Sequence, residues 1–195
     1  LSLWIFKLMK KNNFSLKIEQ IISFFKLMKK NEVDFNKSAD LMFKTLRKKN
    51  KIIFCGNGGS AADSSHAVAE LVGRYIKKKR KPLRAISLNE NSATLTALSN
   101  DFGYKFIFSR QLEGLGRKDD LLFAISTSGK SKNILEAIKV AKKLKIKTIL
   151  LTGDNSFKAD LVNVCIKVPA KRVDRIQELH IAIIHLLSEY LDGLF

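Results

Sequence analysis

The chain is poor in cysteine and histidine, with two of the first and three of the second among 195 residues. Cys55 and Cys165 lie far apart in apolar stretches and form no Cys-x-x-Cys pair. That argues against a disulfide framework and a cysteine-based metal motif, and both read as small buried hydrophobes in a reducing compartment. No apolar run reaches the roughly 18 residues needed to span a bilayer, so no membrane partner is expected. The opening Leu1-Ser2-Leu3-Trp4-Ile5-Phe6-Lys7 has too short an apolar stretch for a signal peptide, with no basic residue before it and no small-residue cleavage site after it. A cytoplasmic location is the expectation. Acidic residues are outnumbered two to one, 18 against 36 Lys and Arg, for a formal net charge of +18. Such a field attracts nucleic acid, anionic lipid or phosphorylated metabolites. The lysines are spread along the chain, with one dense cluster at Lys77-Lys78-Lys79-Arg80-Lys81, and aromatics are not interleaved with it as a single-strand platform would need. Nucleic acid is therefore not the expected partner.

What is present is a chain long enough for one domain with a real core, and an ordinary hydrophobic content of 46%. Residues 1–50 read as a helical segment and 51–195 as an α/β core. Ile18, Ile21, Ile22, Phe25 and Met28 recur at helical spacing, as do Ala39, Leu41, Met42 and Leu46. The heptapeptide Phe-Lys-Leu-Met-Lys-Lys-Asn occurs at 6–12 and again at 25–31, but two copies do not make a repeat architecture. From Lys51 the pattern changes. Short apolar runs at 51–55, 83–88, 120–125, 147–151 and 162–168 predict five strands. Helices are predicted at 61–75, 94–97, 104–115, 131–144 and 172–191. Apolar strands alternating with helices indicate a three-layer sandwich, a mostly parallel sheet covered on both faces. Ligands on such sheets sit at the carboxyl ends of strands, in the turns that lead into helices.

Two turns stand out. Gly56-Asn57-Gly58-Gly59-Ser60 follows the first strand and opens a helix whose free N–H groups favour an anion. It lacks both the Gly-x-Gly-x-x-Gly spacing and the P-loop lysine, so no nucleotide cofactor is expected. Ser126-Thr127-Ser128-Gly129-Lys130-Ser131 places four hydroxyls and a glycine at a helix start, where one hydroxyl would suffice for an N-cap; it reads as a phosphate cradle. For acid–base or metal chemistry the candidates are few. His66 and Glu70 are four apart on one helix, and Gln177, Ile181 and His185 form a row on the last helix, with His180 off that row. His with carboxylate suits zinc, and Gln is an unusual fourth ligand; a solvated pair and structural histidines are the alternative.

These residues fall in a recognisable set. Cys55-Gly56-Asn57-Gly58-Gly59-Ser60, the helix His66 to Tyr75, Asn100-Asp101-Phe102-Gly103, Phe108-Ser109-Arg110, Ile125 to Ser131, Leu151-Thr152-Gly153 and Asp174 to Ile181 keep their order over roughly residues 20 to 192. Together they resemble the phosphoheptose isomerase family, within the sugar isomerase (SIS) domain superfamily. The serine turn marks the superfamily; the His-x-x-x-Glu helix together with the Gln177…His185 helix marks the narrower family. The first twenty residues extend beyond the pattern.

The resemblance implies isomerisation of sedoheptulose 7-phosphate to D-glycero-D-manno-heptose 7-phosphate, the first step of activated heptose synthesis for surface polysaccharide. It implies a homotetramer with sites between subunits, the N-terminal helices packing in an oligomer bundle. By position, Glu70 matches the base that moves a proton between C1 and C2, and His185 its acid–base partner. Asn57, Gly58, Gly59, Glu70, Asn100, Asp101 and Gln177 match substrate contacts, and Ser126, Thr127, Ser128 and Ser131 the phosphate site. His66, Glu70, Gln177 and His185 match zinc ligands, one ion per subunit. A non-enzymatic SIS branch that binds the bacterial replication initiator is the main rival; it generally lacks counterparts of Glu70 and His185. Another sugar-phosphate isomerase or an amino-sugar SIS protein is the second rival. The first commonly carries extra domains, and the second usually lacks the His66/Glu70 helix.

Overall fold

A computed structural model describes residues 13–155 and 157–195. The first heptapeptide copy and Trp4 lie outside the described residues. Helix α1 (Phe14–Leu27) is capped by Asn13, whose side chain accepts from the Leu16 N–H at 3.4 Å. A single 3₁₀ turn at Met28–Asn31 separates it from α2 (Glu32–Arg47). The second heptapeptide copy therefore forms a junction, pinned by the buried Asn31 side chain donating to the Lys167 carbonyl at 2.9 Å.

Then follow β1 (Ile52–Gly56), α3 (Gly59–Val72), β2 (Ala85–Ser87), α4 (Ser92–Phe102) and α5 (Ile107–Leu115). The chain continues with β3 (Leu121–Ser126), α6 (Lys132–Lys143), β4 (Lys147–Gly153), β5 (Val164–Val168) and α7 (Val173–Leu194). All five expected strands form. The expected helix at 94–97 grows to a full α4, because Asn91 caps it by accepting from the Thr94 N–H. The expected 104–115 helix opens with a 3₁₀ turn, and α3 stops at Val72 rather than running to Tyr75.

The strands form one sheet in the order β2-β1-β3-β4-β5, and every pairing is parallel. Gly56 lies opposite Ile125 and Ser126 opposite Thr152, so the carboxyl ends of β1, β3 and β4 finish level. Successive strand residues point to opposite faces, and both faces are buried. Phe54, Phe123, Ile149 and Leu151 join one core with α2, α3 and α7; Ile53, Cys55, Leu122 and Leu150 join the other with α5 and α6. Cys55 is buried as expected and Cys165 only half-buried; burial pushes their thiols up to about 12 and about 11, so both stay protonated at neutral pH.

His180 lies in the first of these layers, fully buried, with neither ring nitrogen in a well-formed hydrogen bond. Burial pulls its imidazole from the ordinary 6.5 down to about 4, offset only in part by the Thr152 backbone. Above pH 6.5 the ring is neutral in both the folded and the unfolded chain. Between 6.5 and 4 only the unfolded chain takes up the proton, so stability falls as the pH falls, by up to roughly 3 kcal/mol. Urea unfolding at pH 7.5 and 4.5 checks this: His180→Gln should lose markedly less stability on acidification than the parent chain. Equal losses would refute it.

Candidate active site

The glycine turn is built by close approach. Asn89 holds both backbone groups of Gly56, accepting from its N–H at 3.1 Å and donating to its carbonyl at 2.8 Å. The Gln177 amide of α7 lies so close to Gly59 that any Cβ there would overlap it. Gln177 thus sits at the start of α3, beside Asn57, Gly58 and Gly59.

The serine turn follows β3, the strand next to β1. Gly129 takes φ +64°, which its lack of a side chain permits. Ser126 is buried, and its hydroxyl pairs with that of Ser131 at 3.1 Å, while Ser128 Oγ accepts from the Lys130 N–H at 3.1 Å. Ser131 occupies the N-cap of α6, yet its side chain makes no capping bond. The hydroxyls are organised around the turn and leave the N–H groups of Lys132 and Asn133 for an anion, while that of Ile134 donates to Asn133 Oδ1 at 3.0 Å.

The two turns are tied together by a pair that sequence inspection missed. Asn57 and Asn133 exchange amide hydrogen bonds at 2.9 and 2.8 Å, and Asn133 is buried in the first turn of α6. Tyr104 adds a hydroxyl donated to Asn57 Oδ1 at 2.9 Å. Asn100 and Asp101 stand exposed near the end of α4, bonded to each other at 2.9 Å and shortly before Tyr104. Among the described residues, no recorded hydrogen bond or ion pair joins them to either turn.

His66, Glu70 and His185 converge. Glu70 Oε1 is 3.0 Å from His66 Nε2, which is 3.3 Å from His185 Nε2, and one ligand atom from each lies within 4.8 Å of the others. The imidazoles meet edge-on, and Tyr75 flanks His185 with ring centroids 6.1 Å apart. The spacing suits zinc: ligands about 2.0–2.1 Å from a tetrahedral ion stand roughly 3.3 Å apart. Gln177 is not brought into this cluster by the contacts of the chain; its amide is at Gly59. His66 and Glu70 lie seven and eleven residues beyond Gly59, roughly 10 and 16 Å down the axis of α3. One turn before His66, Asp63 has a buried oxygen without a hydrogen bond, and burial pushes its carboxyl up to about 6, against the lowering effect of His66.

An all-parallel five-stranded sheet, with a glycine turn and a hydroxyl-rich turn at its carboxyl edge, defines a SIS domain; that family matches residues 14–153. Phosphoheptose isomerase of Akkermansia muciniphila is 49% identical over 142 residues, 72% of this chain and 75% of that protein. The phosphoheptose isomerase of Helicobacter pylori is 50% identical over 145 residues, 74% of this chain and 75% of its own length. The structure of phosphoheptose isomerase from Neisseria gonorrhoeae superposes with a TM-score of 0.83 at 36% identity, covering 92% of this chain and 96% of that one. The chain belongs to the phosphoheptose isomerase family.

Proposed function

We propose that the chain isomerises sedoheptulose 7-phosphate to D-glycero-D-manno-heptose 7-phosphate, opening activated heptose synthesis for surface polysaccharide. The observation that carries this reading is the meeting of the Glu70 carboxylate with the His66 and His185 imidazoles from two different helices. Aldose–ketose exchange needs a base, an acid and stabilisation of a developing oxyanion. Glu70 takes a proton from C1 of the ketose, leaving the C1–C2 enediol, and returns it to C2. His185 moves the matching proton between the oxygens of C1 and C2. The hydroxyls of Ser126, Thr127, Ser128 and Ser131, with the start of α6, hold the phosphate. Asn57, Gly58, Gly59, Asn100, Asp101 and Gln177 contact the sugar. An assay of turnover on sedoheptulose 7-phosphate tests this; none, with or without added zinc, would sink it.

His66, Glu70 and His185 would hold zinc, and Gln177 would be the fourth ligand from a neighbouring copy, since within its own chain its amide stands at Gly59. When bound, zinc supplies Lewis-acid polarisation of the sugar oxygens. Protein purified without chelator should carry one zinc per subunit by elemental analysis, and His66→Ala should lose it. Undiminished zinc in His66→Ala would remove this residue from the ligand set.

The reading includes a homotetramer with sites completed between subunits. Two features support it. The helix α1 buries none of its residues and exposes Phe14, Ile18, Ile22 and Phe25, an apolar face suited to an oligomer bundle. Asn100 and Asp101 are exposed, open to a neighbouring copy. On this reading residues 1–50 serve assembly and 51–195 bind the sugar phosphate. No helix among the described residues is long and apolar enough to cross a membrane. Free Cys55 and Cys165 support a cytoplasmic location.

A further inference from the structure

The densest basic cluster of the chain hides an exception. Lys77, Lys78, Lys79 and Lys81 are exposed, but the Arg80 side chain is 1% exposed and faces inward. All five of its N–H groups are used. Nε donates to Asp192 Oδ1 at 2.7 Å, Nη1 to the carbonyls of Leu71 and Lys81 at 2.8 and 2.9 Å, and Nη2 to those of Glu70 and Gly73 at 2.7 and 3.2 Å. Asp192 is equally committed, its other oxygen accepting from the N–H groups of Ile76 and Lys77 at 3.2 and 2.7 Å.

We infer that Arg80 and Asp192 form a clasp that positions Glu70 against His185; this rests on the assignment of those two as the acid–base pair. The last carbonyls of any helix lack partners within it. At the end of α3 the usual left-handed glycine cap is missing, since Gly73 sits at φ −76° and ψ −130°. Arg80 takes its place, and its charge also meets the negative end of the helix dipole. One of the carbonyls it holds belongs to Glu70 itself. Asp192 lies seven residues beyond His185, two turns along the same face of α7. One ionic unit therefore holds the backbone of the carboxylate residue and the helix of the imidazole residue.

The remaining packing of α3 on α7 includes the buried apolar residues Ala67 and Leu71 against Ile184 and Leu187. Apolar contact is non-directional and fixes helix register less sharply than directional bonds do. Catalytic geometry tolerates only about 0.5 Å of error, and directional bonds from a planar guanidinium supply that precision. Stability alone does not call for an ion pair here, because well-packed apolar groups often serve as well at a buried site.

The test uses Arg80→Lys and Asp192→Asn in the full chain, beside the parent. In a folded variant, kcat should fall roughly 10- to 100-fold, the range for losing a residue that orients a site. KM should stay within about 3-fold, since the interaction lost acts on the reacting groups and not on phosphate binding. The imidazole ¹H–¹⁵N signals of His66 and His185 should move at fixed pH while those of buried His180 stay. A variant that melts earlier but keeps parental kcat and parental histidine signals would overturn the inference and leave the clasp a purely stabilising feature. Asp192→Asn, nearly identical in shape, decides the matter if Arg80→Lys does not fold. If the parent chain itself lacks turnover, the isomerase reading fails, and the histidine signals alone decide on the clasp.

Discussion

Glu70→Gln is expected to lower turnover of sedoheptulose 7-phosphate by roughly 10²- to 10⁴-fold, the usual worth of a general base. The substitution keeps the size and shape of the side chain and a polar atom near His66 Nε2, which is 3.0 Å from the carboxylate. What it removes is the capacity to accept and return a proton, together with the carboxylate charge proposed to ligate zinc, so zinc content is measured beside turnover. The hydroxyls proposed to hold the phosphate lie on a different turn, beyond β3 rather than on α3, so KM should change little. Steady-state kinetics beside a melting curve would separate the two effects. Near-parental turnover in a well-folded Glu70→Gln protein would mean that another group moves the proton. A large rise in KM at constant kcat would mean that Glu70 binds substrate without taking part in the chemistry.

The second large effect lies in the core. Phe123→Ala should cost roughly 3–5 kcal/mol of folding stability, from the lost transfer energy of the ring and the cavity left behind. Phe123 is fully buried at the centre of the sheet, and its ring lies 5.2 Å from that of Phe54 at an interplanar angle of 34°. Both sit on strands with neighbours on each side, so the surrounding backbone has little freedom to collapse into the space. Against a typical total of about 5–15 kcal/mol, the loss is about a fifth of the stability or more. The melting temperature should fall by roughly 6–20 °C for a chain of this size. Chemical denaturation measures it directly; a loss below about 1 kcal/mol would show that the two phenylalanines are not the packing centre they form in the structure. The same strand ends at Ser126, so Phe123→Ala should also loosen the hydroxyl turn three residues on.

Much of this architecture was legible in the amino-acid order. Apolar runs such as Ile52–Cys55 and Leu121–Ile125 have no polar alternation, and their shortness and flanking turns fit strands of a sheet buried on both faces. The hydroxyl turn and the glycine turn could be placed at strand ends because the strands before them and the helices after them were both readable. The spacing of His66 and Glu70 put them on one face of one helix. Their meeting with His185 came from the family resemblance and not from spacing. Periodicity says which side of a helix a residue occupies, not which side chain of a distant helix lies opposite, and 119 residues separate the two histidines. The same limit hid Asn133, which reaches Asn57 across two strands, and Tyr104, whose hydroxyl bonds Asn57 from a turn with no motif of its own.

The basic cluster shows the point most sharply. As a string, Lys77 to Lys81 is five interchangeable positive charges. In the fold, four of them are solvated and one, Arg80, is buried with every donor satisfied. Local order determined the elements, the sheet and the two turns, because backbone preference and hydrophobic period act over a few residues. Only the tertiary structure decided which of those five cations turns inward, and how closely Glu70, His66 and His185 stand. Those are matters of distance between segments that the chain brings together only by folding.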